Sequence, residues 1–325
     1  MSLYLISGIA GFIGSKVADL LLCQGHTVIG LDNLNKSYDV RLKYYRLEEL
    51  KKYSSFSFYE CDICDRTAMT QTFSAREPIS AVLHLAARAG VRNSVKDPWS
   101  YFETNAIGTL NLLEFCRQTN CGKFVFASTS TLYGTENSKP CHEATDTNMP
   151  LSPYAASKKA AEALCYTYHH LHGLDLTILR YFTVYGPAGR PDMSIFRFVK
   201  WINEGEPVIV YGDGTQLRDF TFVDDIALGT VAALKNTGYE IVNLGSNRPV
   251  SINEIITRIE DLVGRKAQID YRPAHRADVN VTWADISKAS RLLNWAPKTT
   301  YERGLEQSTE WYRTNRNWAS DIATC

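Results

Sequence analysis

Tyr154 and Lys158 are the pair of residues in this sequence best suited to acid–base chemistry. They stand four residues apart in the run Tyr-Ala-Ala-Ser-Lys, so on a helix their side chains lie on one face. A nearby ammonium favours the phenolate and lowers the tyrosine pKa, which would let Tyr154 take a proton from a substrate hydroxyl. Taken alone, this spacing is common and is more typical of a solvated helix face.

A glycine-rich segment predicts a dinucleotide site. Gly8, Gly11 and Gly14 follow an apolar run and open a segment with helical spacing, so the backbone can turn tightly and present helix N-terminal N–H groups to a pyrophosphate. Asp32 closes the second apolar run, where a carboxylate accepts hydrogen bonds from ribose hydroxyls and repels a 2′-phosphate. This favours NAD over NADP, and Lys36 nearby weakens the preference. A tight turn is the alternative interpretation of the glycines.

Alternating apolar runs and helical segments predict the scaffold that holds these residues. The pattern indicates an α/β fold with a doubly wound parallel sheet, a Rossmann fold, and a smaller C-terminal substrate-binding lobe. We expect a cofactor-binding domain over residues 1–186, to which residues of about 220–250 return, and a mainly substrate-binding lobe over 187–325. The predicted strands are 3–7, 27–31, 55–60, 81–85, 123–127 and 175–180, and the predicted helices are 12–24, 40–51, 66–73, 101–118 and 153–171.

The Gly-x-x-Gly-x-x-Gly spacing at 8–14 resembles the short-chain dehydrogenase/reductase superfamily, and the resemblance extends over nearly the whole chain. Thr129 stands four residues before a Tyr-Gly pair, where extended members of that family place a hydroxyl that binds the reacting group. The resemblance therefore implies Thr129, Tyr154 and Lys158 as catalytic residues and NAD as the cofactor, whose positive nicotinamide ring would join Lys158 in lowering the pKa of Tyr154. For Asp62, a helix N-cap or a surface turn is nearly as good an interpretation. The implied cofactor contacts are Gly8, Gly11, Phe12, Ile13, Gly14, Asp32, Asn33, Lys36, Asp62, Ile63, Leu85, Ala86, Ala87, Tyr154 and Lys158.

The residues that follow Thr129 distinguish the reactions of the extended family. Sugar-nucleotide 4,6-dehydratases resemble Thr-Asp-Glu-Val-Tyr-Gly at this place, and UDP-glucuronate decarboxylases carry a glutamate two residues before the tyrosine. This chain has Ser130 and Thr131 there, so no added carboxylate acid or base is present and a 4-epimerase is favoured. Segments 32–43, 89–92 and 180–193 resemble UDP-glucuronate 4-epimerases in particular. These interconvert UDP-glucuronate and UDP-galacturonate through a 4-keto intermediate with transient NADH.

Other functions stay open. A 4-epimerase of neutral UDP-sugars, such as UDP-glucose or UDP-N-acetylglucosamine, would share every catalytic residue. A UDP-glucuronate decarboxylase with altered acid–base residues is a further alternative, against which Thr131 argues. A non-catalytic NAD-binding protein would typically lack the tyrosine–lysine pair.

The implied substrate carries a carboxylate whose orientation matters. UDP-glucuronate oxidised at C4 is a β-keto acid, which loses CO₂ unless the breaking bond is kept out of line with the ketone π system. We predict that Thr129, Ser130 and Thr183 hold this carboxylate, that Ser128 assists, and that Arg190 supplies charge there or at the diphosphate. For each single hydroxyl, an ordinary strand-end hydrogen bond is about as good an interpretation.

The remaining substrate contacts are predicted from resembling segments. Arg218 lies in a segment that resembles one whose arginine meets the UDP diphosphate, and a guanidinium suits that role because it donates paired hydrogen bonds. Arg92 belongs to the resembling segment 89–92. Arg276 and Asp278 are candidates for the diphosphate and the uridine ribose, although His275 takes the position where the family usually has arginine.

Composition excludes several classes of partner. Lys plus Arg and Asp plus Glu both number 35, so the formal net charge is zero and neither nucleic acid nor an anionic membrane is an expected partner. Without a signal peptide or an apolar run of about 18 residues, we expect a cytoplasmic enzyme. The Cys61/Cys64 pair lacks a second ligand pair, so no metal site is predicted. Segments 101–118 and 153–171 have surplus apolar faces, which the family uses in a homodimer and which could equally be core.

Overall fold

The computed structural model describes residues 1–73, 78–135, 140–274 and 278–324. Its strands are β1 (Leu3–Ser7), β2 (Thr27–Asp32), β3 (Phe56–Glu60), β4 (Ala81–His84), β5 (Lys123–Thr129), β6 (Asp175–Tyr181), β7 (Thr183–Tyr185), β8 (Val208–Tyr211), β9 (Leu217–Phe222), β10 (Tyr239–Leu244), β11 (Pro249–Ser251) and β12 (Ile269–Arg272). Its α-helices are α1 (Phe12–Cys23), α2 (Arg41–Leu50), α3 (Arg66–Phe73), α4 (Val91–Lys96), α5 (Pro98–Phe102), α6 (Gly108–Thr119), α7 (Pro153–His172), α8 (Ser194–Glu204), α9 (Val223–Ala232), α10 (Ile252–Val263), α11 (Ser287–Leu293), α12 (Tyr301–Thr314) and α13 (Arg316–Ala319).

A central sheet of seven strands runs in the order β10-β6-β5-β4-β1-β2-β3, and every neighbouring pair is parallel. The predicted doubly wound Rossmann fold is thereby confirmed. The order reverses around β1, so loops diverge there at the carboxyl edge and open a crevice. Two strands extend beyond their predicted ends, so that Asp32 closes β2 and Thr129 closes β5. Both side chains therefore lie at the edge of this crevice.

Buried apolar residues cover both faces of the central sheet. On one face α1, α9 and α11 pack through residues such as Leu21, Ile226 and Leu293. On the other face α6 and α7 pack through residues such as Leu112 and Ala161. Strand β10 pairs with β6, so the later part of the chain returns to the sheet.

The C-terminal half adds a second core. Helices α8, α10 and α12 bury residues such as Val199, Ile255 and Leu305 against one another. A three-stranded sheet in the order β11-β9-β7 and a two-stranded sheet of β12 and β8 accompany them. This part carries the turn that follows β7, which borders the crevice. Among the helices that the structure describes, none is long and apolar enough to cross a membrane.

The single helix predicted over 101–118 differs from the structure. Helix α5 and helix α6 are joined by a π-helical turn over Glu103–Ile107. This wide turn places Asn105 inward, where its side chain accepts a hydrogen bond from Arg88 N and donates to Arg88 O and to Ser157 Oγ. Spacing alone does not reveal such a bulge, because it adds one residue to a turn without changing the apolar face.

Candidate active site

The crevice contains a cavity of about 380 Å³ at the carboxyl edge of the central sheet. Most of the residues predicted from the sequence come together around it. Those that line it are Gly8, Gly11, Phe12, Ile13, Gly14, Asp32, Asn33, Asp62, Ile63, Leu85, Ala86, Ala87, Ser128, Thr129, Ser130, Tyr154, Lys158, Thr183 and Arg190.

The glycine-rich loop forms a cradle that only glycine permits. Gly8 has a φ of +75°, and a Cβ on it would approach Ala86 N to 2.6 Å. A Cβ on Gly14 would collide with the carbonyl oxygen of Gly8. Gly11 caps α1 without a side-chain hydrogen bond, so the first N–H groups of the helix remain available to an anion. The loop therefore fits a pyrophosphate.

Asp32 is almost completely buried, and its carboxylate accepts hydrogen bonds from Ala10 N at 3.2 Å and Leu34 N at 2.9 Å. Lys43 Nζ lies 3.0 Å from the same carboxylate and is equally buried. The sequence pointed to Lys36 as the neighbouring cation, but Lys36 is not among the residues that line the cavity, whereas Lys43 is. Nothing in the sequence distinguishes Lys43 from the other charged residues of α2.

Asp62 follows β3 at the far end of the cavity. Its carboxylate accepts hydrogen bonds from Asn33 Nδ2 at 2.7 Å and from Cys64 N at 2.9 Å. Burial would raise the pKa of this carboxyl, but the hydrogen bonds from Cys64 and Asn33, together with the charge of Arg88, outweigh burial and hold the pKa below its ordinary value. Asp62 thus closes a turn and also presents a carboxylate to the cavity.

Tyr154 and Lys158 lie on the first turns of α7, which begins at Pro153 and is capped by Ser152. Lys158 Nζ donates to Ala127 O at 2.8 Å, and burial lowers the pKa of Lys158 to about 7. Burial also raises the pKa of Tyr154, and a hydrogen bond with Thr129 and the charge of Arg190 oppose that rise. The predicted lowering of this pKa relied on the positive ring of the cofactor as well as on Lys158; in the structure burial outweighs the influences that lower the pKa of Tyr154, which lies above its ordinary value.

Hydroxyl groups surround the end of β5. Thr129 Oγ1 accepts a hydrogen bond from Thr131 N at 3.1 Å and lies 2.9 Å from Thr131 Oγ1. Thr131 also lines the cavity, and it was missed as a candidate because only its lack of charge was considered. Ser128 Oγ donates to Glu162 Oε1 at 2.6 Å, and Glu162 forms a buried ion pair with Arg180. The hydroxyl proton of Ser128 is therefore directed into the protein.

Arg190 brings positive charge to this end of the cavity. Its guanidinium lies 2.5 Å from Asp192 Oδ2 and donates to Ala89 O at 3.2 Å. It is close enough to Tyr154 to influence the pKa of the phenol. The turn after β7 therefore places a cation beside the predicted proton acceptor.

A second group of predicted residues is not among those that line the cavity, although Arg92 directly follows Val91, which does line it. Arg92 Nη2 lies 2.6 Å from Asp278 Oδ2, although 186 residues separate them, and its guanidinium stacks 3.7 Å from the ring centre of Tyr211. Arg218 lies within electrostatic reach: burial and Arg92 lower its pKa, and Asp278 opposes them. Arg276 lies outside the described residues. Two arginines and a carboxylate thus form a polar site suited to phosphate and hydroxyl groups.

Comparisons with known proteins agree with this geometry. A family model described as GDP-mannose 4,6 dehydratase matches residues 5–308. A UDP-glucuronate 4-epimerase from Thermodesulfobacterium geofontis is 57% identical over 316 residues, which cover 97% of each chain.

Solved structures match over nearly the whole chain. The UDP-glucuronic acid 4-epimerase of Bacillus cereus, in complex with UDP-glucuronic acid and NAD, has a TM-score of 0.90 and 39% identity, covering 96% of this chain and 99% of that one. The UDP-glucose 4-epimerase of Thermotoga maritima, with UDP-glucose, has a TM-score of 0.89 and 33% identity, covering 97% and 99%. The chain therefore belongs to the extended short-chain dehydrogenase/reductase family and, within it, to the family of UDP-glucuronate 4-epimerases.

Proposed function

We propose that this chain interconverts UDP-glucuronate and UDP-galacturonate by inverting C4 of the sugar, with NAD as its cofactor. One observation carries the proposal. Among the described residues that line the cavity, the polar side chains at the end of β5, in the turn that follows it and on β7 are hydroxyls and include no carboxylate: Ser128, Thr129, Ser130, Thr131 and Thr183. An epimerase needs a proton acceptor and a grip on the sugar there, and no further acid or base.

The cavity suits NAD along its length. The glycine loop would hold the pyrophosphate, Asp32 and Lys43 would meet the adenosine ribose, and Asp62 would lie at the adenine with Ile63. Leu85, Ala86 and Ala87 leave room for a flat dinucleotide beside β4. When bound, NAD supplies reversible oxidation of a carbinol carbon.

Tyr154 is the residue that moves a proton. In our proposal Tyr154 Oη accepts the proton of the C4 hydroxyl and, after the 4-keto sugar has turned to present its opposite face, returns the proton to the C4 oxygen. Thr129 lies beside the reacting oxygen, and its hydrogen bond with Tyr154 keeps the tyrosine pKa from rising further. Lys158 Nζ donates a hydrogen bond to Ala127 O. From this position, one helical turn after Tyr154, it would supply positive charge to the reacting centre.

The carboxylate of the sugar would be held by Ser130 and Thr183, with Thr129 completing the group and Arg190 contributing charge. Neutral donors on two sides of a carboxylate can fix its plane against the C4 ketone and so slow the loss of CO₂. Ser128 takes a smaller part, because its hydroxyl proton is already engaged by Glu162.

The nucleotide would be anchored at the second polar site. Arg92 and Arg218 bind the diphosphate, and Asp278 accepts from the uridine ribose. Anchoring the nucleotide while the 4-keto sugar turns about the diphosphate would let either face of C4 meet the cofactor, with the C4 oxygen within reach of Tyr154 each time. Arg92 directly follows Val91, which lines the cavity, so the polar site would hold the nucleotide at the border of the cavity while the sugar turns inside it.

We also propose the division of labour between the two halves of the chain: residues 1–186, with about 220–250, bind NAD, and residues 187–325 mainly bind the UDP-sugar. The parallel pairing of β10 with β6 and the separate core of α8, α10 and α12 support it. A homodimer through α6 and α7 is part of the proposal. It is supported by exposed apolar side chains on the elements around those helices, which are Val95, Trp99, Phe102, Ile107, Tyr166 and Leu171.

We place the enzyme in the cytoplasm. Among the described residues, the cysteines at 23, 61, 64, 116, 121 and 165 form no disulfide, which suits a reducing compartment.

The deciding experiment is proton NMR of the purified protein with UDP-glucuronate, and with UDP-glucose and UDP-N-acetylglucosamine in parallel. We expect UDP-galacturonate from the first substrate without added NAD, because the cofactor is regenerated in each turnover. Tyr154→Phe serves as the control that removes the proton acceptor. Turnover of a neutral sugar alone would favour the activity named for the Thermotoga maritima relative instead.

A further inference from the structure

Arg46 is a buried cation that the proposed chemistry does not use. It lies on α2 behind the glycine-rich loop and is 4% exposed. Each of its five N–H groups has an acceptor. Nε donates to Ala188 O at 3.2 Å, Nη2 to Ala188 O at 2.6 Å and Gly189 O at 3.3 Å, and Nη1 to Ala10 O at 3.0 Å and Tyr38 Oη at 2.8 Å.

All of these acceptors are neutral. Among the described residues, no carboxylate oxygen lies within 4.0 Å of the Arg46 guanidinium. Lys43, which lies on the same helix as Arg46, differs in this respect because it pairs with Asp32. Burying a charge without an ion partner is costly, and proteins normally neutralise it. Carbonyl dipoles satisfy the hydrogen bonds of Arg46 but leave its net charge uncompensated.

The charge of Arg46 lies behind one wall of the cavity. Ala10 belongs to the glycine-rich loop, and the guanidinium lies 5.8 Å from the ring centre of Phe12 at the start of α1. Tyr38, whose ring centre is 5.7 Å from the guanidinium, lines the cavity, whereas Arg46 does not. The positive potential of Arg46 therefore adds to that of the α1 N-terminus, where an anion would bind.

The same side chain joins two segments that are distant in sequence. Ala188 and Gly189 immediately precede Arg190. Ala188 has a φ of +52°, a backbone conformation that residues other than glycine rarely adopt. Two N–H groups of Arg46 donate hydrogen bonds to the carbonyl oxygen of Ala188. Arg46 thus ties the glycine-rich loop to the turn that carries the cation beside Tyr154.

We propose that Arg46 is a positioning residue whose counter-ion is the pyrophosphate of the dinucleotide, and that its hydrogen bonds couple the glycine-rich loop to the turn at 188–190. This inference rests on the proposed use of NAD. It separates two effects of one side chain: the charge sets the affinity for the dinucleotide, and the five-donor geometry sets the position of Arg190.

The test compares Arg46→Lys with Arg46→Met, and uses Arg41→Met, an exposed arginine on the same helix, as the matched control. Dissociation constants for NAD and for uncharged adenosine are measured by calorimetry on protein freed of nucleotide, over a range of salt concentrations. Circular dichroism checks that each variant is folded.

We expect Arg46→Met to bind NAD about tenfold more weakly and with a flatter salt dependence, because a charge has been removed. Adenosine, which has no phosphate, should bind as in the parent protein. Arg46→Lys keeps the charge and should keep the NAD affinity within about threefold, but it should lower kcat because it cannot donate five hydrogen bonds.

Equal NAD affinity in the parent and in Arg46→Met would overturn the proposal, as would a loss of NAD affinity in Arg46→Lys as large as that in Arg46→Met. If Arg46→Met does not fold, Arg46→Gln, which is also neutral but can still donate hydrogen bonds to the carbonyl oxygens, takes its place in the comparison with Arg46→Lys. Failure of the parent protein to bind NAD would instead remove the proposed function.

Discussion

Lys158 Nζ donates to the carbonyl oxygen of Ala127 over 2.8 Å, and in this fully buried place the pKa of the lysine falls to about 7. The chain therefore keeps, next to Tyr154, an ammonium that burial destabilises. Such a group is retained for chemistry at the expense of stability.

Replacement of this lysine should stabilise the fold while it abolishes turnover. At pH 6 Lys158 is charged in both the folded and the unfolded chain, so Lys158→Met removes the cost of burying the charge. We expect the free energy of unfolding to rise by roughly 1–2 kcal/mol. Between pH 7 and 10.5 Lys158 is protonated in the unfolded chain but neutral in the folded one. The parent therefore gains stability as pH rises, and the difference in free energy of unfolding between variant and parent narrows. Urea denaturation at pH 6 and pH 9 measures this, and a less stable variant at pH 6 would contradict it.

The hydrogen bond between Thr129 and Tyr154 should appear in the pH dependence of the reaction. Thr129→Val removes an influence that lowers the pKa of Tyr154 and leaves the opposing effect of burial. Because Tyr154 acts as a base, kcat/KM should rise with pH through its apparent pKa, and the rising limb should move to higher pH in the variant. A pH–rate profile checks this, with Thr145→Val as a control outside the cavity. An unmoved limb would mean that Thr129 does not influence the proton acceptor.

The hydroxyl groups that would hold the carboxylate are tested by the products. The double variant Ser130→Ala, Thr183→Ala should raise the proportion of UDP-4-keto-pentose relative to UDP-galacturonate, because the carboxylate can then align with the C4 ketone. Proton NMR resolves both products. Ser128→Ala is the comparison, with a smaller expected effect because its proton is directed to Glu162. An unchanged product ratio in the double variant would rule out the carboxylate role.

The second polar site should govern nucleotide affinity rather than chemistry. Arg218→Met removes one of the two arginines proposed for the diphosphate, and we expect the KM for UDP-glucuronate to rise about tenfold with a smaller change in kcat. Retention of NAD should be unaffected, because Arg218 does not line the cavity. The exposed Arg272 lies on β12 and pairs with Asp270 of the same strand. Arg272→Met is therefore the control. A fall in kcat alone would place Arg218 in the chemical step instead.

Assembly can be tested at the exposed apolar residues. Trp99 is 84% exposed and Leu171 is 64% exposed, so the variant Trp99→Glu, Leu171→Glu introduces two charges onto the proposed interface. Analytical ultracentrifugation should show a dimer for the parent and a monomer for the variant. Met149→Glu, at an equally exposed apolar residue outside these helices, should not change the mass. A monomeric parent would remove the dimer from the proposal.

Spacing along the chain was sufficient for the parts of this protein that depend on near neighbours. The glycine spacing at 8–14, the alternation of strands and helices, and the four-residue interval between Tyr154 and Lys158 each express a local rule of turn or helix geometry. Because parallel strands end at one edge of a sheet, these rules also brought Asp32 and Thr129 to the same crevice.

Contacts between distant residues followed no such rule and emerged from packing alone. Lys43, rather than Lys36, reaches Asp32, and Arg46 finds two of its acceptors, Ala188 O and Gly189 O, more than 140 residues away. The direction of the Tyr154 pKa also depended on packing, since burial in the closed cavity outweighs the charges around it. A sequence pattern records which side chains share an element, whereas desolvation and long-range pairing arise when elements enclose one another.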